Sequence, residues 1–309
     1  MYPSYLNLSK EDLNQRIEKL FKVLENCEIC PRKCYVNRIK GEKGYCQLDF
    51  LPVVSAFHPH FGEESPLVGR FGPDSWASRG GSGTIFFTSC NLSCVYCQNY
   101  EISQLRRGEE VSFERLAKMM LELQNRGCHN INLVTPTPQV PQILKSLSIA
   151  IKHGLKIPLV YNTNSYDSIE VLKLLDGIVD IYMPDVKYSD DKIALKYSNA
   201  PKYFEIMKEA VKEMHRQVGD LVLDEEGIAI RGLLVRHLVL PNDLAGSEKI
   251  FNFISKEISE NTFLNIMDQY NPNFKAYQYP ELSWRITDKE YQMAIKLAKE
   301  AGLKRLYRN

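Results

Sequence analysis

After Gly83 the sequence alternates between short segments typical of β-strands and longer segments typical of amphipathic helices, and this alternation restricts the fold more than any other feature. Parallel strands need crossover connections of this kind, so the sequence predicts an α/β fold with a parallel sheet. A doubly wound sheet and a partial (β/α) barrel both fit, and both place functional groups at the carboxyl ends of the strands. The predicted strands are TIFFTS at 84–89, NINLVT at 130–135, IPLVYN at 157–162, IVDIYMP at 178–184, LLVRHLVLP at 233–241 and TFLNIMD at 262–268.

The segment before Gly83 has a different character, which divides the chain into two predicted parts. Residues 9–26 carry an apolar stripe at helical spacing, whereas residues 27–82 are rich in Cys, Pro and Gly and show no sustained period. We therefore expect an N-terminal helix and a Cys-rich, loop-rich lobe over residues 1–82, and a core ending in a helix over residues 83–309.

The charge balance and the apolar pattern restrict the partners and the compartment. The 309 residues include 39 Lys and Arg against 38 Asp and Glu, a formal net charge of +1. This balance gives no electrostatic basis for nucleic acid or an anionic membrane as an obligatory partner. The sequence shows neither a signal-peptide pattern nor an apolar run of the roughly 20 residues that a spanning helix needs. We expect a cytoplasmic protein, whose cysteines stay reduced and bind metal instead of forming disulfides.

Three cysteines, Cys90, Cys94 and Cys97, lie in the loop after the first predicted strand with the spacing Cys-x3-Cys-x2-Cys. Thiolates are ligands for iron–sulfur clusters and for zinc. A structural zinc site has four ligands, and this loop contains no fourth Cys or His, so zinc would need a distant fourth ligand. A [4Fe–4S] cluster held by three cysteines leaves one iron open to another ligand.

The stretch CNLSCVYCQN at 90–99, which follows a short strand and a Gly-rich approach, resembles the signature of the radical S-adenosylmethionine (SAM) superfamily. The resemblance implies a partial (β/α)6 barrel, a [4Fe–4S] cluster on the three cysteines, and S-adenosylmethionine bound at the open iron. In that superfamily the reduced cluster cleaves the cofactor, and the resulting 5′-deoxyadenosyl radical abstracts a hydrogen atom from the substrate. The cofactor then supplies the ligand that a fourth thiol would have provided.

Within the superfamily the chain is most similar to the branch of the pyruvate formate-lyase-activating enzyme, through stretches that include MPDVKY, RHLVLP and LNIMDQY. The resemblance implies that Asp185 and Lys187 contact the charged groups of the cofactor. It also implies that His237 lies near the adenosyl group in a catalytic and cofactor-binding role. Arg236 is then expected on the opposite face of its strand.

Polar residues at two further strand ends extend the predicted cofactor site. VTPTPQ at 134–139 stands where the superfamily usually has a Gly-Gly-Glu-Pro stretch, and carbonyls near Thr135 are expected to hold the cofactor's amino group, with a structural turn as the alternative. Asn162 and Asn164 are predicted to contact the ribose hydroxyls, with helix capping as the alternative. HFGEES at 60–65 is interpreted as solvated surface, with substrate contact as the alternative.

A second set of cysteines, Cys27, Cys30, Cys34 and Cys46, lies in the N-terminal lobe. Four thiolates suit either a closed zinc site or a fully ligated iron–sulfur cluster. A loop-rich lobe with little apolar core gains stability from such a metal. We favour a second iron–sulfur cluster, which would relay electrons or anchor substrate, over zinc and over unligated thiols.

The predicted function is that of a radical SAM oxidoreductase, which abstracts hydrogen from a glycine of a partner protein if the similarity to the activating enzymes extends to the substrate. The alternative is radical modification of a small molecule, a peptide or RNA with help from the N-terminal metal site. A non-catalytic metal-binding module is a minor alternative. Reduced flavodoxin or ferredoxin is the expected electron donor.

Overall fold

The computed structural model describes residues 2–69 and 80–307, and ten strands within these ranges join into one sheet. Seven of them form one continuous parallel set, which confirms the predicted parallel α/β fold: β2, β4, β5, β6, β8, β9 and β10. The strands are β1 (Val53–His60), β2 (Ser82–Phe87), β3 (Glu109–Glu110), β4 (Ile131–Val134), β5 (Leu159–Thr163), β6 (Ile181–Pro184), β7 (Val222–Leu223), β8 (Ala229–Leu238), β9 (Phe263–Met267) and β10 (Arg305–Tyr307).

The strand order is β10-β9-β8-β6-β5-β4-β2-β1-β3, with β7 paired to β8. Among the described residues no pairing joins β10 to β3, so the sheet is an open partial barrel and not a closed one. The helices are α1 (Lys10–Val23), α2 (Ser65–Val68), α3 (Tyr100–Ser103), α4 (Phe113–Asn125), α5 (Val140–Lys152), α6 (Ile169–Leu174), α7 (Asp191–Ser198), α8 (Tyr203–Val218), α9 (Ser247–Phe253) and α10 (Asp288–Glu300).

The helix ends follow the capping rules that the sequence suggests. Ser9 accepts a hydrogen bond from the Asp12 amide at the start of α1, and Ser112 accepts one from Arg115 at the start of α4. Thr287 and Glu290 form a reciprocal capping box at the start of α10. None of the described helices combines the length and the apolar character needed to cross a membrane.

Three strands, β1, β3 and β10, were missing from the sequence prediction. The strand β1 lies in the segment expected to be loop-rich, and it pairs antiparallel with β2, so the N-terminal part contributes directly to the core sheet. Its sequence, VVSAFHPH, has only one fully buried side chain and therefore lacks a clear two-residue period. The strand β10 spans three residues, too few for a pattern. Residues 70–79 of the loop-rich segment lie outside the described ranges.

The interior of the barrel is closed by packing at the amino-terminal side of its strands. A buried apolar cluster there is formed by Leu67, Val160, Ile181, Met183, Leu221, Ala229 and Leu234. Side chains two residues further along a strand face the same side. The residues that follow this cluster on β5, β6 and β8 therefore open into the barrel at the carboxyl ends of the strands.

Candidate active site

A cavity of about 520 Å³ lies at the carboxyl ends of the parallel strands, the position expected for a functional site in such a sheet. It is large enough for a cofactor-sized ligand. Eight residues predicted from the sequence line it together: Cys90, Cys94, Cys97, Thr135, Asn162, Asn164, Asp185 and Lys187. The fold therefore gathers side chains from four different strand ends around one volume.

The two-residue strand period explains why Arg236 enters this cavity and His237 does not. Leu234 belongs to the barrel interior, so Arg236 faces the cavity, where it lies beside Asp185 of the neighbouring strand. His237 faces the helices instead. Its ring is fully buried against Phe251, and its two nitrogens lie 2.8 Å from the Val186 carbonyl and 2.9 Å from Ser247 Oγ.

The structure thus corrects the prediction that His237 is a catalytic or cofactor-binding residue. Burial lowers the pKa of His237 to about 4, so the ring is neutral at physiological pH. A neutral imidazole with both nitrogens engaged holds β8 against α9. The two neighbours lie on opposite faces of β8, as expected, but Arg236 and not His237 faces the cavity.

Arg236 is the centre of a charged network on the cavity wall. Its Nε donates to Asp185 at 2.7 Å and its Nη2 to Asn162 Oδ1 at 2.7 Å, while Nη1 lies 3.5 Å from Glu63. Lys187 Nζ donates to the second oxygen of Asp185 at 2.8 Å. Burial opposes ionisation of Asp185, but the charges of Arg236 and Lys187 outweigh it and lower the pKa of that carboxyl. Asp185 is therefore a carboxylate flanked by two cations.

His60 and Glu63 form the wall of the cavity near β1. His60 Nδ1 lies 3.4 Å from Glu63, which raises the pKa of His60. Glu64, the next residue, lies outside the cavity, and its Oε1 accepts a hydrogen bond from Asn265 Nδ2 at 2.7 Å. Burial raises the pKa of Glu64. The simpler interpretation of HFGEES as solvated surface is therefore wrong for Glu64, which is buried, and for Glu63, whose side chain is only 8% exposed.

Thr135 lines the cavity in a backbone conformation that is rare for its residue type. Its φ is 60°, in the left-handed region, where a β-branched side chain is strained. Its amide donates to the Asn162 carbonyl at 3.0 Å, which fixes the turn against the next strand end. Thr135 therefore lies at the cavity, and its contact with the cofactor stays a prediction beside the alternative of a structural turn.

The loop of Cys90, Cys94 and Cys97 is held by the end of α7. The Ser93 amide donates to the Ser198 carbonyl at 3.0 Å, and the Val95 amide donates to the Tyr197 carbonyl at 2.8 Å. Burial raises the pKa of Cys90 to about 12 and that of Cys94 to about 11, the latter against the opposing charge of Lys187. Metal binding at these thiols must therefore displace protons.

Asn164 lies where the cavity meets the cysteine loop, and the ribose contact stays a prediction. Its Nδ2 donates to Cys90 Sγ at 3.2 Å and to Asn91 Oδ1 at 2.8 Å. Its Oδ1 accepts from the Tyr166 amide at 2.9 Å. The two contacts of Nδ2 hold the cysteine loop, whereas the contact of Oδ1 is a local turn within residues 164–166, so the side chain supports the thiols. Asn162, in contrast, stays on the cavity wall with Arg236.

The second set of thiols surrounds a much smaller space next to the first. Cys27, Cys30, Cys34 and Cys46 line a cavity of about 10 Å³, close to the volume of one water molecule. Asn91, the residue after Cys90, lines the same cavity.

The two thiol sets are joined by an arginine of the N-terminal lobe. Arg32 Nε donates to the Asn91 carbonyl at 2.8 Å, and its guanidinium lies 3.8 Å from the centre of the Tyr45 ring. Arg32 also donates to the Asn199 carbonyl behind α7. The lobe is therefore docked on the same loop that carries Cys90.

The side chains that line the large cavity fit an iron–sulfur cluster with one further ligand. Within residues 2–69 and 80–307, no three His, Cys, Asp or Glu side chains are gathered closely enough to enclose one ion. Each thiolate of a four-iron cluster binds a different iron, so its ligands stand around a volume. Cys90, Cys94 and Cys97 stand in this way at one end of the large cavity, and the carboxylate and cations of the Arg236 network lie at the adjoining strand ends.

The fold and the site together define a class of metal-dependent enzymes: a partial barrel of parallel strands carries three thiols at its carboxyl edge. Comparison with known proteins identifies the family within this class. A family model of the radical SAM superfamily matches residues 84–225. A protein of Methanocaldococcus jannaschii named as uncharacterized is 35% identical over 305 residues, covering 96% of this chain and 80% of that protein. A second uncharacterized protein of that organism is 27% identical over 311 residues, covering 94% and 82%.

Two solved structures align with this chain at TM-scores below 0.5. Methylornithine synthase aligns with a TM-score of 0.45 and 12% identity over 71% of this chain and 68% of that chain. A maturase of the [FeFe]-hydrogenase aligns with a TM-score of 0.47 and 12% identity over 96% of this chain and 56% of that chain. The chain belongs to the radical SAM superfamily. Membership implies a [4Fe–4S] cluster and S-adenosylmethionine as its cofactors.

Proposed function

We propose that this protein is a radical SAM oxidoreductase of the activating-enzyme type, which abstracts a hydrogen atom from a glycine of a partner protein. The observation that supports it is the placement of Cys90, Cys94 and Cys97 on one cavity with the network of Asp185, Lys187 and Arg236. When bound, the cluster and S-adenosylmethionine supply one-electron cleavage of the cofactor and a radical that abstracts hydrogen.

The residues of the cavity have separable roles in this proposal. The three cysteines hold the cluster, and Lys187 and Asp185 present one cation and one anion for the carboxylate and ammonium groups of the cofactor. The strained turn at Thr135 presents main-chain carbonyls beside them. Arg236 fixes Asp185 and Asn162 in position and keeps Asp185 ionised.

Anaerobic reconstitution tests this function directly. The wild-type protein, reduced with dithionite, is expected to give a [4Fe–4S] EPR signal that changes when S-adenosylmethionine is added, and to form 5′-deoxyadenosine. Cys94→Ala should abolish both. Cys128→Ala is the matched control, since Cys128 is buried outside the cavity. Unimpaired cofactor cleavage in Cys94→Ala would refute the assignment.

Deuterium transfer distinguishes a glycine of a partner protein from a small-molecule substrate. Cells grown with deuterated glycine supply a macromolecular fraction and a small-molecule fraction, each of which is incubated with the enzyme, cofactor and reductant. Deuterium in 5′-deoxyadenosine from the macromolecular fraction supports a protein substrate. Deuterium from the small-molecule fraction alone would contradict a protein substrate. It would support the alternative, a radical enzyme that acts on small molecules, which the neighbouring thiol set favours. Reduced flavodoxin or ferredoxin is the proposed physiological donor, tested by replacing dithionite with each.

The four N-terminal thiols are proposed to hold a second metal group. Their position beside Asn91 favours an iron–sulfur cluster that exchanges electrons with the first, and a structural zinc site is the alternative. Metal analysis of anaerobically purified protein distinguishes them, with about eight irons for two clusters or about four irons and one zinc for a structural site. If the wild-type protein binds four irons and no zinc, and Cys30→Ser leaves that iron content unchanged, these thiols hold no metal.

A further inference from the structure

Each of the three thiols of the cysteine loop lies within hydrogen-bond distance of one polar side chain from a different element. Asn164 Nδ2 lies 3.2 Å from Cys90 Sγ, Ser198 Oγ 3.0 Å from Cys94 Sγ, and Ser103 Oγ 3.2 Å from Cys97 Sγ. These side chains, which we call the three sulfur donors, come from the end of β5, the end of α7 and the end of α3. Nothing in the spacing of the cysteines predicts them.

A metal-bound thiolate fixes the direction of these hydrogen bonds. A thiolate carries no proton and only accepts, so the hydroxyls of Ser198 and Ser103 must donate to it. A serine has one hydroxyl proton. Ser198 Oγ, once it donates to Cys94, therefore accepts from Tyr188, whose hydroxyl lies 2.7 Å away.

The same reasoning extends one step further from the sulfur. Tyr188, having donated its proton to Ser198, accepts from Tyr96, whose hydroxyl lies at 2.5 Å. The chain Tyr96, Tyr188, Ser198 thus points all its protons towards Cys94. All three side chains are nearly or fully buried, at 5%, 0% and 0% exposed. Aligned hydrogen bonds of this kind strengthen one another where water is excluded.

We propose that the three sulfur donors set the reduction potential of the cluster, with the Tyr96–Tyr188–Ser198 chain as the largest contributor. The proposal rests on the proposed function, since it concerns the cluster that these cysteines hold. Reduction adds one electron from the reductant and breaks no bond. The added negative charge is shared with the cysteine sulfurs, and a hydrogen bond donated to a sulfur stabilises that charge. The donors therefore raise the potential and ease reduction.

Ser198→Ala and Ser103→Ala remove one donor each and should make reduction harder. We expect the equilibrium constant for reduction to fall about tenfold in Ser198→Ala, a shift of about 59 mV to more negative potential for a one-electron couple. Ser103→Ala should shift it in the same direction by a smaller factor, because Ser103 is less buried. Tyr188→Phe keeps the Ser198 hydroxyl and should give an intermediate shift. Ser103→Thr keeps a hydroxyl and should restore the wild-type value.

The measurement is an EPR-monitored redox titration of the reconstituted protein, together with its iron content and its urea unfolding midpoint. Matched controls lose a buried hydroxyl far from the loop. Ser146→Ala loses a 2.9 Å bond to the Gln142 carbonyl, and Tyr182→Phe loses a 2.7 Å bond to Gln217. Both should destabilise the fold without moving the potential.

A failure of the proposed function and a failure of the role of the sulfur donors give different results. A wild-type protein without a SAM-sensitive [4Fe–4S] signal contradicts the proposed function itself. If the wild type shows that signal, and Ser198→Ala and Ser103→Ala bind four irons at an unchanged potential, the proposed function stands and the role of the donors is refuted. If the Ser198→Ala protein does not hold a cluster, the potentials of Ser103→Ala and Ser103→Thr in the same titration decide whether the donors set the reduction potential.

Discussion

Replacing Arg236 by Met tests whether the cavity wall depends on this guanidinium. Methionine keeps much of the side-chain volume but removes the charge and the donors. The change deletes the 2.7 Å bonds to Asp185 and to Asn162, in a site where the Arg236 and Asp185 side chains are 16% and 18% exposed. Asp185 keeps its 2.8 Å bond to Lys187. One carboxylate therefore loses one of two cationic partners.

The expected loss of stability follows from these contacts. A hydrogen bond to a charged group contributes roughly 1.5–3 kcal/mol, and breaking a buried ion pair costs roughly 3–5 kcal/mol when no partner remains. Because Lys187 still compensates Asp185, we expect Arg236→Met to lower the free energy of unfolding by about 2–4 kcal/mol at neutral pH. Urea denaturation followed by circular dichroism measures it.

The pH dependence of this loss is the sharper test. The folded-state pKa of Asp185 lies below its unfolded value, so its contribution to stability is present above a pH of about 4 and disappears as the pH falls through the folded pKa. Arg236 causes much of that lowering. The difference between wild type and variant should therefore shrink on acidification below pH 4, provided that both remain folded there.

Arg115→Met provides the control, since Arg115 pairs with Glu122 on the surface, where both side chains are at least 30% exposed. Its loss should cost at most about 1 kcal/mol. A loss in Arg236→Met as small as that in Arg115→Met, or one of constant size across the acid range, would refute the view that Arg236 holds Asp185 ionised.

Three further predictions concern four substitutions. His237→Ala should lower the free energy of unfolding by about 3 kcal/mol, since a buried ring and two hydrogen bonds are lost, while S-adenosylmethionine affinity by calorimetry stays unchanged; weaker affinity in a stable variant would restore the binding role. Asp185→Ala and Lys187→Ala should each weaken that affinity by about 1–3 kcal/mol, and wild-type affinity in both would assign the pair to structure. Gly44→Ala should reduce metal bound by the N-terminal thiols, because an added Cβ would lie 2.7 Å from Cys34 Cβ; undiminished metal content would contradict it.

The sequence by itself determined the class of fold and the identity of the thiols. Local patterns carry both kinds of information: strand and helix periods depend on neighbouring residues, and the spacing of Cys90, Cys94 and Cys97 is fixed within one loop. The second and third predicted strands end at 135 and 162, within one residue of the observed ends at Val134 and Thr163. The large cavity lies where parallel strands of any sequence place their carboxyl ends.

The tertiary structure alone decided which side chains meet. Arg236 and His237 are adjacent in sequence, and only the pairing of β8 with β6 and β9 shows which of them faces the barrel. Ser198 is 104 residues from Cys94 and Asn164 is 74 residues from Cys90, so their contacts with sulfur depend on how α7 and β5 pack. A hydroxyl or amide at such a distance leaves no periodic signal, because its partner is fixed by packing and not by spacing.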